Sequence, residues 1–281
     1  ALCYLEMEKV SRGVYKCTAK LITDDIMINL LRKRISMADC NNGYILDGFP
    51  RSLEQAEQYE EILKKENIQP RSAIDLACGT GSVALLLAER YDRVLGVDMS
   101  EEMLTVAFQR AVEQGHMPTF VCQQLQQLRL PRAVDMAVCA LDGLDYILDP
   151  ADCKEAIRRV YKTLNPGGIF IFDVNTPEKL RAMDGQVFLD EDDDVFCVWR
   201  GEFDEETNIC SYGMDLFQRE GENWYRSFEE HQEYAYTVEQ LTCFLKDAGF
   251  THIRIYADGK LEAPKAGEQR IYFSARKGKR K

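Results

Sequence analysis

The sequence of 281 residues has no hydrophobic run long enough to cross a membrane, and its start lacks the basic stretch and apolar core of a secretory signal. It also lacks a C-x-x-C pair, although it contains ten cysteines, several of them inside predicted strands. We therefore expect a cytoplasmic protein with reduced cysteines that serve packing, and no zinc site. Internal repeats and low-complexity tracts are missing as well, which is typical of a globular protein.

Positive charge is scarce: 35 Lys and Arg against 47 Asp and Glu give a formal net charge of −12. Because clustered Lys and Arg dominate the affinity for a polyanion, we expect no nucleic acid partner. The basic tail at 276–281 is the exception, and a short charged terminus is usually solvated. The acidic run at 190–194 is predicted to be a solvated loop and not a metal cluster, because consecutive residues rarely converge on one ion.

The sequence does contain an acid at the end of a short apolar strand, directly before a glycine-rich turn, in the stretch DLACGTG at 75–81. Residues 72–77 predict a buried strand and residues 82–90 a helix. Gly79 and Gly81 allow a sharp turn and a close approach to a ligand, and the helix start offers unpaired N–H groups. The glycine pattern alone also fits a dinucleotide-binding turn.

Asp75 distinguishes the two interpretations of this turn. A buried carboxylate four residues before Gly79 repels a pyrophosphate but attracts an ammonium or a sulfonium group, and S-adenosylmethionine carries both cations. The next predicted strand, residues 93–98, also ends in an acid, Asp98, placed where a carboxylate accepts hydrogen bonds from ribose hydroxyls. We therefore predict an S-adenosylmethionine site, in which Met99 lies either against the adenine or in the core.

Residues 70–277 resemble the class I S-adenosylmethionine-dependent methyltransferases, through the stretches 74–81, 96–104, 164–168 and 169–175. This resemblance implies an α/β fold with a doubly wound, Rossmann-like sheet of seven strands, the last of them antiparallel. It also implies a cofactor site formed by Asp75, Ala77, Cys78, Gly79, Thr80, Gly81, Asp98, Met99, Gln124, Leu125 and Asp142. Gln124 stands where the family usually has an acid for the adenine amino group, and its amide oxygen can accept the same bond.

Helices over 101–114 and 152–164 alternate with strands over 119–122, 134–139 and 168–174. Thr237 and Gln240 form a capping box for a helix that ends at Gly249, and two strands, 252–256 and 270–275, complete the sheet. The runs 195–203, 209–218 and 224–235 predict an antiparallel meander inserted at about 190–236. The meander is our candidate surface for a homodimer.

The carboxyl ends of the strands should face the methyl acceptor, because ligands of open α/β sheets bind there. Asp142, Asp145 and Tyr146 follow the fourth strand, and Asn175 follows the fifth. Either these residues take part in catalysis, or Tyr146 packs on the adenosine while Asp142 bonds the methionine amino group. Methyltransferases of adenine in DNA carry an Asn/Asp-Pro-Pro-aromatic run here, which this chain lacks, so we expect a small-molecule acceptor.

His231 is the candidate general base if the acceptor carries a proton, because acidic neighbours raise the pKa of a histidine. These neighbours are Glu229, Glu230 and Glu233. The alternative is a surface strand residue without a role in catalysis.

Residues 44–57 (YILDGFPRSLEQAE) are similar to adenylate kinases, and the resemblance covers about residues 13–69. It implies that Asp47 lies near magnesium and phosphates and that Arg51 and Gln55 contact AMP. Phosphoryl transfer needs a G-x-x-x-x-G-K-[ST] loop, which is missing, as is the arginine-bearing lid of that family. We predict an α/β kinase-like fragment without kinase activity at 1–69, followed by the methyltransferase domain at 70–281. The helix of this fragment over 52–66 is expected to pack on the methyltransferase sheet, in place of the helix that precedes the first strand.

Two functions follow from these patterns. The first is methyl transfer to a small molecule. The alternative is a catalytically inactive protein that binds S-adenosylmethionine or a nucleotide, because the kinase-like fragment stands in place of the usual N-terminal segment of a methyltransferase.

Overall fold

A computed structural model describes residues 3–11, 14–21, 71–116, 118–192 and 194–279 of the chain, the first two ranges as backbone. The kinase-like residues Asp47, Arg51 and Gln55 and the helix predicted over 52–66 lie outside the described residues. The chain divides into two compact units, one of 1–49, 185–202 and 211–231, the other of 50–184, 203–210 and 232–281. The boundary predicted between residues 69 and 70 stays a prediction.

The described strands are β1 Cys3–Ser11, β2 Val14–Leu21, β3 Ser72–Leu76, β4 Arg93–Asp98, β5 Thr119–Cys122, β6 Val134–Cys139, β7 Leu164–Asn175, β8 Val187–Glu191, β9 Val195–Asp204, β10 Ile209–Glu220, β11 Asn223–Tyr234, β12 Phe250–Ala257 and β13 Arg270–Lys277. The described helices are α1 Ser82–Ala88, α2 Glu101–Gln114, α3 Pro150–Thr163, α4 Pro177–Ala182 and α5 Val238–Ala248. None of these helices is both long and apolar enough to span a membrane.

A mixed sheet of seven strands, in the order β12-β13-β7-β6-β3-β4-β5, forms the centre of the second unit. Strands β3 to β7 run parallel, and β13 pairs antiparallel with both β7 and β12. The predicted doubly wound sheet with its antiparallel last strand is therefore confirmed. Because all five parallel strands end at one edge, their carboxyl-terminal residues lie close together there.

Apolar residues along the sheet alternate between two buried clusters, one on each face. Phe170 and Phe172 of β7 belong to the first cluster, whereas Ile169 and Ile171 belong to the second. Burial on both faces explains why the strands are continuous apolar runs in the sequence. Phe172 also stacks on Phe273 of β13, with ring centroids 4.8 Å apart.

Side-chain caps fix where most of the helices begin. Ser100 accepts a hydrogen bond from the Met103 N–H, so that α2 has the predicted bounds. Helix α3 begins at Pro150, two residues before its predicted start, because the Asp149 side chain caps it. The predicted capping box of Thr237 and Gln240 is confirmed at the start of α5.

The inserted sheet has four strands in the order β11-β10-β9-β8, one more than the predicted three. Strand β8 was missed because all five of its residues are exposed and leave no alternation of buried positions. The acidic run at 190–194 is accordingly not all loop: Asp190 and Glu191 belong to β8 and pair with β9. In the ranges that the structure describes, no group of three or more His, Cys, Asp or Glu is arranged to hold a metal.

Candidate active site

The turn after β3 is held in a left-handed backbone conformation. Ala77, Gly79 and Gly81 have φ angles of 53°, 51° and 80°. The Cys78 N–H donates to the Val97 carbonyl over 3.0 Å, which fastens the turn to the neighbouring strand β4. A Cβ at Gly79 would meet no atom within 4 Å, whereas a Cβ at Gly81 would lie 2.9 Å from the Ala107 Cβ. Gly81 therefore serves packing, and Gly79 leaves its backbone open to a ligand.

Asp75 is buried at the end of β3, with 2 % of its surface exposed. Burial raises its pKa to about 8; the Ala84 N–H opposes this shift, and the Asp98 carboxylate adds to it. Its Oδ2 atom has no hydrogen-bond partner among the described residues. Because a buried carboxylate without a partner is costly, a cation beside this oxygen would stabilise the ionised form.

Asp98 joins the turn to the start of α2. Its Oδ2 accepts a hydrogen bond of 2.8 Å from the Gly79 N–H, and its Oδ1 accepts one of 2.9 Å from the Ser100 N–H. A carboxylate oxygen has more than one lone pair, so both atoms can accept further bonds. Met99 is 69 % exposed beside it, which makes the core interpretation of this methionine wrong.

Arg110 is a residue that the sequence analysis missed. From α2 its guanidinium donates to the Thr80 carbonyl over 3.1 Å, to the Thr80 hydroxyl over 2.9 Å and to the Ser82 hydroxyl over 3.0 Å. Arg110 therefore connects helix α2 to the glycine-rich turn and to the start of α1. The signal in the sequence was weak, because an arginine on an exposed helix face is common.

Gln124 precedes a short 3-10 turn, Leu125–Gln127, in which Leu125 is buried. Its Oε1 accepts a hydrogen bond of 3.0 Å from Gln127 Nε2. Gln126 Nε2 donates to the same oxygen over 3.5 Å, so the oxygen predicted to meet the adenine amino group already accepts two hydrogen bonds within the chain.

The loop after β6 is also held in a left-handed conformation, with φ angles of 59° at Leu141 and 56° at Asp142. The N–H groups of these residues donate to the buried Asp173 carboxylate over 2.9 and 3.2 Å. A Cβ on Gly143 would lie 2.8 Å from the Ala77 Cβ, so this loop packs directly on the turn after β3. The two predicted halves of the site are therefore adjacent.

Arg270, the first residue of β13, neutralises two of the acids at this edge. Its guanidinium donates to Asp142 Oδ1 over 2.7 Å and to Asp173 Oδ2. Burial raises the pKa of Asp173, and the charge of Arg270 opposes that shift. The sequence did not indicate either partner, because the contacts join residues 128 and 97 positions apart.

Asn175, at the end of β7, binds three carboxylates at once. Its backbone N–H donates to Asp145 Oδ2 over 2.8 Å. Its Nδ2 donates to Asp142 Oδ2 over 3.2 Å and to Glu233 Oε2 over 2.7 Å. Its Oδ1 accepts a bond of 3.0 Å from Lys179 Nζ. The structure thus brings the predicted Asp142, Asp145 and Asn175 together and adds Glu233.

Asp145 and Glu233 are both buried, and their pKa values are raised. For Asp145 the cause is burial, reinforced by the nearby charges of Glu233 and Asp142. Burial also raises the pKa of Glu233 to about 7. Asp145 Oδ1 has no hydrogen-bond partner within the described part of the chain. Tyr146, the next residue, is 48 % exposed.

His231 belongs to the other compact unit, where its Nε2 lies 3.4 Å from Glu229 Oε2. Its proposed part as a general base stays a prediction.

Comparisons with known proteins agree with this geometry. Residues 73–168 match the family described as "Methyltransferase domain". The chain is 32 % identical over 208 residues to the putative methyltransferase YqeM of Bacillus subtilis, covering 73 % of this chain and 84 % of the relative. The chain belongs to the S-adenosylmethionine-dependent methyltransferases.

Solved structures share the fold of this methyltransferase. An S-adenosylmethionine-dependent methyltransferase from Clostridium acetobutylicum superposes with a TM-score of 0.77 at 28 % identity, over 90 % of this chain and 99 % of that one. CalS10 from Micromonospora echinaspora, an amino pentose methyltransferase solved with S-adenosylmethionine bound, has a TM-score of 0.68 at 16 % identity, over 92 % of this chain and 99 % of that one. At this identity the second likeness shows the fold alone.

Adenylate kinases match the methyltransferase only in part. The kinase of Leptospira biflexa is 44 % identical over 62 residues, which make up 22 % of this chain and 33 % of the kinase. The chain therefore spans about a third of that relative.

The residues of the methyltransferase are suited to its cofactor, S-adenosylmethionine. The unpartnered Asp75 Oδ2 offers a negative charge for a cation, and the open side of Gly79 leaves room for a ligand against the backbone. Asp75 lies in β3, and Gly79 lies on the turn that joins β3 to α1.

Proposed function

We propose that the protein transfers a methyl group to a small-molecule acceptor at the carboxyl edge of its seven-stranded sheet. The observation that carries this proposal is the buried Asp75 carboxylate, whose Oδ2 has no partner in the described residues, in the strand that leads into the open Gly79 turn. When bound, S-adenosylmethionine supplies a methyl group already activated by its sulfonium. The work left to the chain is to hold the acceptor in line and close and to exclude water.

Within this proposal, Asp75 attracts the cationic methionine part and Asp98 accepts hydrogen bonds from the ribose. The exposed Met99 covers one adenine face, and Gln124 and Leu125 contact its edge. The backbone of the turn, Ala77, Cys78, Thr80 and Gly81, lines the same ligand. Asp142 and Tyr146 lie on the acceptor side.

A small molecule is favoured over nucleic acid because the net charge of −12 repels a polyanion. The same charge gives no support to a membrane partner. Homodimer formation through the inserted sheet, β8 to β11, is a separate proposal that sedimentation velocity tests.

Replacement of Asp98 by Ala tests the cofactor site. We expect Asp98→Ala to weaken S-adenosylhomocysteine binding by at least about tenfold in calorimetry, because two charge-assisted hydrogen bonds are lost. Asp92→Ala is the matched control, since Asp92 is an exposed acid just before the same strand. Unchanged affinity in Asp98→Ala would rule out the proposed site.

The alternative is a catalytically inactive protein that only binds S-adenosylmethionine or a nucleotide. The intact turn after β3 and the acids Asp75 and Asp98 favour the methyltransferase instead. Transfer of a radiolabelled methyl group to any compound in a panel of small molecules would exclude it.

We also propose that residues 13–69 are a kinase-like fragment that binds AMP without transferring phosphate. The YILDGFPR motif at 44–51 supports this proposal. AMP should raise the melting temperature of the wild type but not of Arg51→Ala. An equal shift in both proteins, or none in either, contradicts the proposal.

A further inference from the structure

Carboxylates outnumber cations at the acceptor side of the site. We name Asp142, Asp145, Asp173 and Glu233 the acidic cluster. Arg270 ion-pairs with Asp142 and Asp173, and Lys179 donates to the Asn175 amide oxygen. Among the residues that the structure describes, Asp145 and Glu233 make no ion pair, and their polar contacts are with the Asn175 N–H and Nδ2. The cluster therefore carries an excess of negative charge when it is ionised.

Asp145 is the second observation that points to a ligand. The side chain is fully buried, and its Oδ1 has no hydrogen-bond partner in the described residues. A buried, unsatisfied carboxylate oxygen is costly, and a hydrogen-bond donor with a positive charge removes that cost most effectively.

The cluster lies beside the turn that the cofactor contacts in our proposal, because the loop carrying Asp142 and Gly143 packs on Ala77. Asp75, in the strand β3 that leads into that turn, already offers one unpartnered carboxylate oxygen, which our proposal assigns to the ammonium group of the cofactor. Asp145 offers another, after a different strand. The other cation of the cofactor, its sulfonium, has no N–H to donate, so the hydrogen-bond donor that Asp145 Oδ1 lacks is expected from the acceptor.

We propose that the acidic cluster binds the ammonium group of the methyl acceptor, so that the substrates of this enzyme are amines. This inference rests on the proposed function. Asp145 Oδ1 and the Glu233 carboxylate accept hydrogen bonds from the ammonium, and the partly exposed Asp142 lies at the rim of the cluster.

An ammonium must lose a proton before its nitrogen can act as a nucleophile. Glu233 is the group that takes this proton: an N–H bond of the ammonium breaks, an O–H bond forms on the carboxylate, and the electron pair stays on nitrogen. The cation and the anion thus become a neutral amine and a neutral acid. The pKa of Glu233, about 7, is suited to a group that accepts and returns a proton near neutral pH.

The inference is tested by binding, without turnover. The full chain is saturated with S-adenosylhomocysteine, and propylamine and propanol, which have the same size, are titrated by ligand-observed NMR. We expect the wild type to bind propylamine roughly tenfold more tightly than propanol, because only the amine carries the charge that the cluster attracts. Glu233→Gln should lose this preference, because it retains the shape of Glu233 but removes its charge.

Two further variants make the test specific. Asp145→Asn should lose the preference as well, which provides a second measurement if Glu233→Gln folds poorly. Glu230→Gln is the matched control, because Glu230 is an exposed acid on the same strand, β11, and it should retain the full preference.

Several outcomes would overturn the inference. Equal binding of propylamine and propanol by the wild type would do so without any variant. A loss of S-adenosylhomocysteine affinity in Glu233→Gln and Asp145→Asn as large as the loss for the amine would assign the cluster to the cofactor ammonium instead. Failure of the proposed function gives a different result: the wild type would not bind S-adenosylhomocysteine at all. That result contradicts both the proposed function and the amine proposal.

Discussion

Three residues other than glycine adopt a left-handed backbone at the carboxyl ends of β3 and β6: Ala77, Leu141 and Asp142. Such a conformation costs on the order of 1 kcal/mol or more at each residue and persists only where the surroundings impose it. For Leu141 and Asp142 the cause is visible, because both N–H groups donate to the Asp173 carboxylate. At the scale of single residues, three of the five non-glycine residues with a left-handed backbone in the described chain lie at this edge of the sheet.

Arg110 shows how one side chain supports the site without lying in the predicted motif. Arg110→Ala removes three hydrogen bonds to Thr80 and Ser82, and we expect a loosened turn that binds S-adenosylhomocysteine about tenfold more weakly. Calorimetry measures this change, and circular dichroism checks the fold. Arg132→Ala, at an exposed position, should bind like the wild type. A normal affinity in Arg110→Ala would mean that the turn keeps its shape unaided.

At the scale of elements, the direction of β13 decides the chemistry of the acceptor side. Because β13 runs antiparallel to β7, its first residue, Arg270, pairs with Asn175, the last residue of β7. A parallel strand in this place would present its last residue there instead. The reversed strand therefore brings a cation to an edge that otherwise collects carboxylates.

Helix α5 depends on its capping box, since Thr237 and Gln240 satisfy N–H groups that the first turn leaves unpaired. Thr237→Ala should lower the free energy of unfolding by about 1 kcal/mol in urea denaturation. Thr237→Ser retains the capping hydroxyl and should stay close to the wild type. Equal stability of the wild type and Thr237→Ala would show that the cap contributes nothing.

At the scale of the whole molecule, buried acids link stability to pH. The pKa values of Asp75 and Glu233 rise on folding from 3.8 and 4.5 to about 8 and about 7, so the folded chain holds protons that the unfolded chain releases. Their contribution is present in full below about pH 4. It is lost as pH rises through the folded values, by at most about 1.4 kcal/mol per pH unit and group.

We therefore expect the free energy of unfolding to fall between pH 5 and pH 7, and Glu233→Gln to show a shallower slope than the wild type. Urea denaturation at three pH values in this range measures both slopes. Asp142, Lys179 and Arg270 face position 233 in both proteins, and the charge of Glu233 raises the pKa of Asp145, so the difference in slope reports the titration of Glu233 together with its effect on Asp145. Identical slopes would show that Glu233 is ionised throughout the range.

Much of the second unit could be predicted from local patterns. Strands β4, β5 and β6 have their predicted bounds because each is a short apolar run between turns, and helix α2 has its predicted bounds because Ser100 and Gly115 cap its ends. Strand β8 could not be predicted, since a fully exposed strand shows no alternation and gains its hydrogen bonds from β9 alone. Glu233 was noticed only as a neighbour of His231, whereas its contact is with Asn175, 58 residues away.

The cofactor class was determined by the sequence itself, because Asp75, Gly79 and Asp98 lie within one strand-turn-helix unit and its following strand, where local spacing sets geometry. The acceptor side was decided by the tertiary structure. Asp142, Asn175, Glu233 and Arg270 come from four separate parts of the chain, and they meet because the parallel strands end at one edge where the antiparallel β13 begins. Charged groups that are so distant in sequence lie close enough to shift each other's pKa values only when the sheet has formed.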